Sequence, residues 1–140
     1  MKSASRPLRA VLLMLTLACA ALLCVPTSCR KAPIHGWPEG MWQVQLIEFA
    51  DGTSSPTPNI YYCFELHTAQ VQISGRGTYT ANMTFDRESQ TLSLEFPRAT
   101  VDQLRPAGID GTTCTFRFLK WTGQQIIMAN DLATITMRKF

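Results

Sequence analysis

From Met41 to Phe140 apolar and polar residues alternate with a period of two, and turn-forming residues break the alternation at short intervals. Thr78–Phe85 is the clearest stretch, with Tyr79, Ala81, Met83 and Phe85 on one side and Thr78, Thr80, Asn82 and Thr84 on the other. Met41–Phe49 sets Trp42, Val44 and Leu46 against Gln43 and Gln45, and Ile60–Leu66 aligns Ile60, Tyr62, Phe64 and Leu66. Ala69–Ser74, Thr91–Phe96, Thr113–Lys120, Gln125–Ala129 and Leu132–Phe140 repeat the pattern. A period of two, rich in β-branched and aromatic residues, is the signature of half-buried strands. No long stretch of this region carries the 3.6-residue period of an amphipathic helix. Gly75-Arg76-Gly77, Asp86–Ser89, Thr122-Gly123 and Asn130-Asp131 suit tight hairpins, and His67-Thr68 makes a weaker turn. The fold expected is all-β, with about eight antiparallel strands joined in chain order. Such a meander removes its exposed edges by closing into an up-and-down barrel. A two-sheet sandwich is the alternative architecture.

Two connections are longer than a hairpin needs: Ala50–Asn59 and Pro97–Gly111. Within the second, Thr100-Val101-Asp102-Gln103 reads as a capping box that starts a helical turn, with Pro106 and Gly108 ending it. Connections in a meander alternate between the two ends of a barrel. The two long ones are the first and the fifth, so both are expected at one mouth.

The chain has 140 residues, and its first part is built differently. Met1–Arg9 carries Lys2, Arg6 and Arg9 and no acid, Ala10–Val25 is almost wholly apolar, and Pro26-Thr27-Ser28-Cys29 follows. Basic, apolar and small segments in that order read as a secretion signal. The apolar run falls short of the ~20 residues that cross a bilayer core, so a retained span is the less favoured alternative. The Ser28-Cys29 end resembles the lipobox of bacterial lipoproteins, in which the cysteine is acylated and becomes the first residue. Pro26 stands where that motif usually has Leu, and Cys24, after Leu23, is a rival. The organisation expected is a signal over 1–28, a lipidated Cys29 with a Pro/Gly-containing tether to Glu39, and a barrel domain over 40–140. Arg30-Lys31 after the cysteine matches neither a retention aspartate nor an acidic surface-export cluster. The resemblance therefore implies a lipid anchor in the outer membrane, facing the periplasm.

Without the signal, ten basic residues face ten acidic ones, so no basic stripe remains for nucleic acid. About 110 residues suit one domain with one core. Cys63 and Cys114 are the cysteines that remain beyond the anchor. Alternation points Cys63 outward and Cys114 inward, on strands that are not neighbours, and bridging needs Cα atoms within about 7 Å. A disulfide is disfavoured unless a bulge flips one strand. His35 falls in the tether and His67 in a turn, without zinc-ligand spacing. No serine sits in a nucleophile elbow, and Cys114 beside Phe116 reads as a core residue. Neither catalysis nor a metal or cofactor is expected.

Gly40-Met41-Trp42 at the start of the first strand resembles the Gly-x-Trp motif of lipocalins, members of the calycin group. In that family the tryptophan closes one end of the barrel and an arginine from the last strand packs over it. The resemblance assigns barrel closure to Gly40, Trp42 and Arg138. It covers the whole mature chain and extends to lipocalin-like domains of bacterial lipoproteins without an assigned function. The chain departs from full-length lipocalins in being shorter and in lacking the helix after the barrel. Asn130-Asp131-Leu132 is only faintly similar to their second motif. The function expected is binding of a small apolar or amphipathic molecule in the envelope, with Tyr62, Phe64, Tyr79, Met83, Phe116 and Met128 as lining residues. The alternative is an interaction or inhibitor-type lipoprotein whose barrel those same side chains fill.

Overall fold

The computed structural model describes residues 36–56 and 58–140. The segment expected to be a signal, Cys29 and His35 lie outside the described residues. Nine strands run in chain order: β1 (Gly40–Phe49), β2 (Ser54–Pro56), β3 (Ile60–Phe64), β4 (Thr68–Ile73), β5 (Gly77–Asp86), β6 (Thr91–Glu95), β7 (Thr113–Trp121), β8 (Gln125–Ala129) and β9 (Ala133–Lys139). All neighbours are antiparallel, and β1 also pairs with β9. Eight strands thus close the meander, and β2 is an addition to it. The reason is visible along β1: its first half pairs with β3 and its second half with β2, on the same edge. Three residues of the expected first loop, Ser54–Pro56, are therefore sheet. The chain reverses at Phe49–Thr53, where Asp51 Oδ1 accepts hydrogen bonds from the Thr53 N–H (2.8 Å) and hydroxyl (2.6 Å).

Inward positions follow the alternation on β4, β6, β8 and β9. They depart from it at two bulges. The β1–β9 register shifts between Val44 and Leu46, so Ile47, at 0% exposure, takes the inward place expected of Leu46. One extra residue in a strand flips every later side chain to the opposite face. The β7–β8 register shifts between Phe118 and Lys120, which leaves Leu119 outside and turns Trp121 toward the core. Leu66 also differs from expectation. β3 ends at Phe64, the Glu65 N–H bonds the Thr68 carbonyl, and Leu66 projects from that turn, 58% exposed.

The fifth connection packs into the barrel. Thr100 caps α1 (Val101–Leu104): its hydroxyl accepts from the Gln103 N–H, and the Gln103 side chain accepts from the Thr100 N–H. A 3-10 turn over Arg105–Ala107 follows and stops at Gly108, whose φ of 79° is left-handed. Leu104, Ala107 and Ile109 are all buried. Burying a leucine or isoleucine contributes roughly 1.5–3 kcal/mol, and polar contacts add to that hold.

Candidate functional site

Those contacts come from the barrel wall. The Tyr62 hydroxyl donates to the Ala107 carbonyl at 2.6 Å, inside the core. Burial raises the phenol well above its usual pKa, so it stays a donor. Asn130 in the β8–β9 turn clasps the same segment from the other side. Its Nδ2 donates to the Gly108 carbonyl (2.9 Å) and to Cys114 Sγ (3.3 Å). Its Oδ1 accepts from the Leu132 and Ala133 N–H groups. One end of the clasp sits on β3 and the other in the short β8–β9 turn, so the fifth connection forms a lid fastened over the mouth.

Of the six residues expected to line a ligand cavity, Tyr62, Phe64, Met83, Phe116 and Met128 are buried in one core cluster, and Tyr79 is half-buried. Tyr62 and Phe64 have ring centroids 5.9 Å apart, and the Tyr79 hydroxyl reaches the Arg76 carbonyl at 3.4 Å. A concavity of about 590 Å³ lies instead on the outer side of the lid. It is lined by Phe49, Ala50, Asp51 and Thr53 of the first turn, Asp102, Arg105 and Pro106 of the lid, Arg76 and Leu132. The first and fifth connections thus meet at one mouth. A second concavity, of about 420 Å³, wraps the β4–β5 turn and shares Arg76. None of the six residues lines either. Arg76, Arg105 and Asp102 are exposed at the rim. Asp51, held below the usual carboxylate range by its Thr53 bonds, is already engaged. The chemistry offered is an apolar floor of Phe49, Pro106 and Leu132 beneath two guanidinium groups, a combination missed in the sequence because Arg76 and Arg105 lie far apart along it.

The opposite end is closed by aromatic rings. Trp42 is buried, and its indole N–H bonds the Pro38 carbonyl at 3.3 Å. Lys139, not Arg138, covers it, with Nζ 4.6 Å from the ring centroid. Trp42 pairs with Lys139 in the β1–β9 register, and Arg138, one residue earlier, faces outward to Gln43 Oε1 at 3.4 Å. Burial lowers the Lys139 amine below the usual lysine range, while Glu39 pulls it back up. Lys139 Nζ also bonds the Glu39 carbonyl and fills the space a side chain on Gly40 (φ 105°) would need. Trp37 docks here too: it meets Phe85 edge-on at 5.7 Å and bonds the Glu65 carbonyl at 3.1 Å. Phe85 in turn contacts Phe118 (5.1 Å) and Trp121 (5.5 Å).

Cys63 and Cys114 are free, on the non-adjacent strands β3 and β7. Burial pushes the Cys114 thiol up to about 12, far from the thiolate a nucleophile needs. Among the described residues no group of three His, Cys, Asp or Glu side chains could hold a metal ion.

A closed eight-stranded antiparallel meander with an N-terminal indole plugging one end is the architecture of the lipocalin class. The sequence matches the lipocalin-like domain family over residues 21–140, and the chain belongs to that family. It is similar in structure to a lipocalin-like protein from Bacteroides uniformis ATCC 8492, with a TM-score of 0.59 and 20% identity, covering 73% of this chain and 97% of that one. It is also similar to an uncharacterized protein from Bacteroides eggerthii DSM 20697, with a TM-score of 0.57 and 14% identity, covering 73% and 98%. No curated protein matches the sequence.

Proposed function

We propose that this protein is a cell-envelope lipoprotein, anchored through Cys29 in the outer membrane and facing the periplasm, that binds a small amphipathic molecule at its barrel mouth. The observation that carries the binding reading is the concavity of about 590 Å³ between the first turn and the lid. Its size falls within the ~300–1,000 Å³ of small-molecule sites. Its apolar floor suits a short hydrocarbon or ring, and Arg76 and Arg105, with Asp51 and Asp102 beside them, suit a polar head. Deeper entry, to Tyr62, Phe64, Met83, Phe116 and Met128, requires displacing the lid with its buried Leu104 and Ile109. The role is binding rather than catalytic, in keeping with an un-ionised Cys114.

Dodecanoate, kept below its micellar concentration and titrated against isotope-labelled protein, tests this. Amide shifts are expected at Phe49–Thr53, Arg76, Asp102–Arg105 and Leu132, and are weakened in an Arg76→Ala, Arg105→Ala variant. Saturating titration without shifts at those positions sinks the ligand reading. The anchor has its own test: Cys29→Ser must release the protein from membranes. One observation favours the protein-interaction alternative: Tyr62, Phe64, Phe116 and Met128 are all fully buried, so a recognised partner is met at the surface.

A further inference from the structure

Three of the four large apolar side chains exposed among the described residues sit at the closed end of the barrel. Leu66 (58% exposed) projects from the β3–β4 turn, Leu119 (52%) from the bulge near the end of β7, and Phe140 (72%) just beyond β9. Trp37 and Trp121, both half-buried, belong to the same end through their contacts with Phe85 at the end of β5. Val101, the fourth exposed residue, is at the mouth. Scattered single apolar residues need no explanation. A ring of them on one pole, beside two indoles, resembles the belt that side chains form at a lipid–water interface.

The chain itself arrives at that pole. Trp37 is seated there, and seven peptide steps lead back from Gly36 to Cys29. Seven residues span at most about 25 Å when fully extended. The ten-residue strand β5 is about 33 Å long at ~3.3 Å per residue, and the usual barrel tilt of 35–45° makes the barrel roughly 25 Å tall. A tether leaving the closed pole would use its whole length to bring the mouth to the bilayer. It reaches with slack only if the closed pole faces the lipid. Charge does not oppose this: Arg87, Lys120, Arg138 and Lys139 balance Glu39, Glu65, Asp86 and Glu88 around that pole.

We infer that the closed pole, through Leu66, Leu119, Phe140 and the flanking indoles, seats directly on the phospholipid surface and holds the mouth concavity away from it. The inference rests on the reading of Cys29 as a lipid anchor. The protein then stands on its membrane in one orientation rather than swinging on a leash, and the mouth faces solutes and partners in the aqueous space. Because the described residues of the pole are electrically balanced, seating through them needs no anionic lipid and resists salt.

The three tryptophans, Trp37, Trp42 and Trp121, all lie at this end, so their emission reports on it. The full lipoprotein is reconstituted into phosphatidylcholine vesicles, with and without bromine on the acyl chains near the headgroup. Flotation reads anchoring, and quenching of tryptophan emission reads seating. Wild type is expected to float and to be quenched, equally at low and high salt. A Leu66→Ser, Leu119→Ser variant, changed only at exposed sites, is expected to float but to lose most of the quenching. Flotation without quenching of wild type overturns the seating and leaves the anchor standing. Undiminished quenching in the double variant also overturns it. Failure of wild type to float overturns both.

Discussion

Replacing Tyr62 by Phe removes one oxygen from the middle of the barrel and tests whether the lid is held by that atom. The ring keeps its place beside Phe64, so no cavity of consequence opens. What changes is the Ala107 carbonyl, which loses a donor at 2.6 Å in a fully buried setting. A buried acceptor left unsatisfied costs about 1–3 kcal/mol, more than the net value of an ordinary exposed bond. For a domain of this size that is a fall in Tm of roughly 5–15 °C. Urea unfolding measures the loss, and hydrogen exchange at residues 104–110 locates it. Those amides should lose more protection than the β3 and β4 amides, since Leu104 and Ile109 leave their seats together. Tyr61→Phe is the control. Its hydroxyl accepts a 3.4 Å bond from Gln43 on the outer face, and its loss should stay within about 0.5 kcal/mol. A Tyr62→Phe protein as stable as the Tyr61→Phe protein, with unchanged exchange over the lid, would refute the fastening argument.

Other substitutions check the rest of the architecture. Gly108→Ala should destabilise by about 1–2 kcal/mol for the left-handed backbone alone; the added carbon also lands 2.9 Å from Ile135 Cδ1, so Ile135→Val should restore part of the loss in a double-mutant cycle. Lys139→Met should cost about 0.5–2 kcal/mol through the lost contact with Trp42, while Arg138→Ala should stay within about 0.5 kcal/mol; urea midpoints in the opposite order would contradict the β1–β9 register. Alkaline pH should destabilise the fold. The Cys114 pKa rises from 9.0 unfolded to about 12 folded, and that of Tyr62 rises too, so their contribution is complete below pH ~9 and is lost as pH climbs toward the folded values, by up to about 1.4 kcal/mol per pH unit for each group. Cys114→Ala should remove most of the loss between pH ~9 and ~10, leaving the smaller share of Cys63, whose thiol burial also raises, until Tyr62 takes over near pH ~10, read by unfolding curves across the range.

The strand pattern was legible because each strand buries one face, and a buried face demands alternation. Closure was legible for a related reason: a meander with no place to hide its edges joins them. The pole carrying each connection followed from counting, without knowledge of side-chain contacts. The errors lie where one residue shifts the count. Leu46 yields to Ile47, and Leu119 is pushed out so that Trp121 turns in, because bulges spend a residue without marking it in composition. The cation over Trp42 is a different case. Ile135 and Met137 already point inward, so the same alternation sends Lys139 in and Arg138 out; the family pattern, laid over the sequence, hid what period two implied. Gln103 and Thr100 announced the helical turn, since a capping box is local chemistry.

Nothing local announced that this turn would be a lid. Tyr62 and Ala107 are 45 residues apart, and Asn130 and Gly108 are 22 apart. Their meeting depends on where the closed barrel places the β6–β7 connection. The mouth concavity has the same origin, since its two arginines come from a hairpin and a helical turn that only closure brings together. By itself the sequence determined the strands, their order and the closed barrel, because short-range periodicity and turn chemistry act within a few residues. Only the tertiary structure decided that the interior is packed and fastened, and that the mouth concavity lies outside the lid. Burial and hydrogen-bond satisfaction are settled between segments that meet only once the barrel has closed.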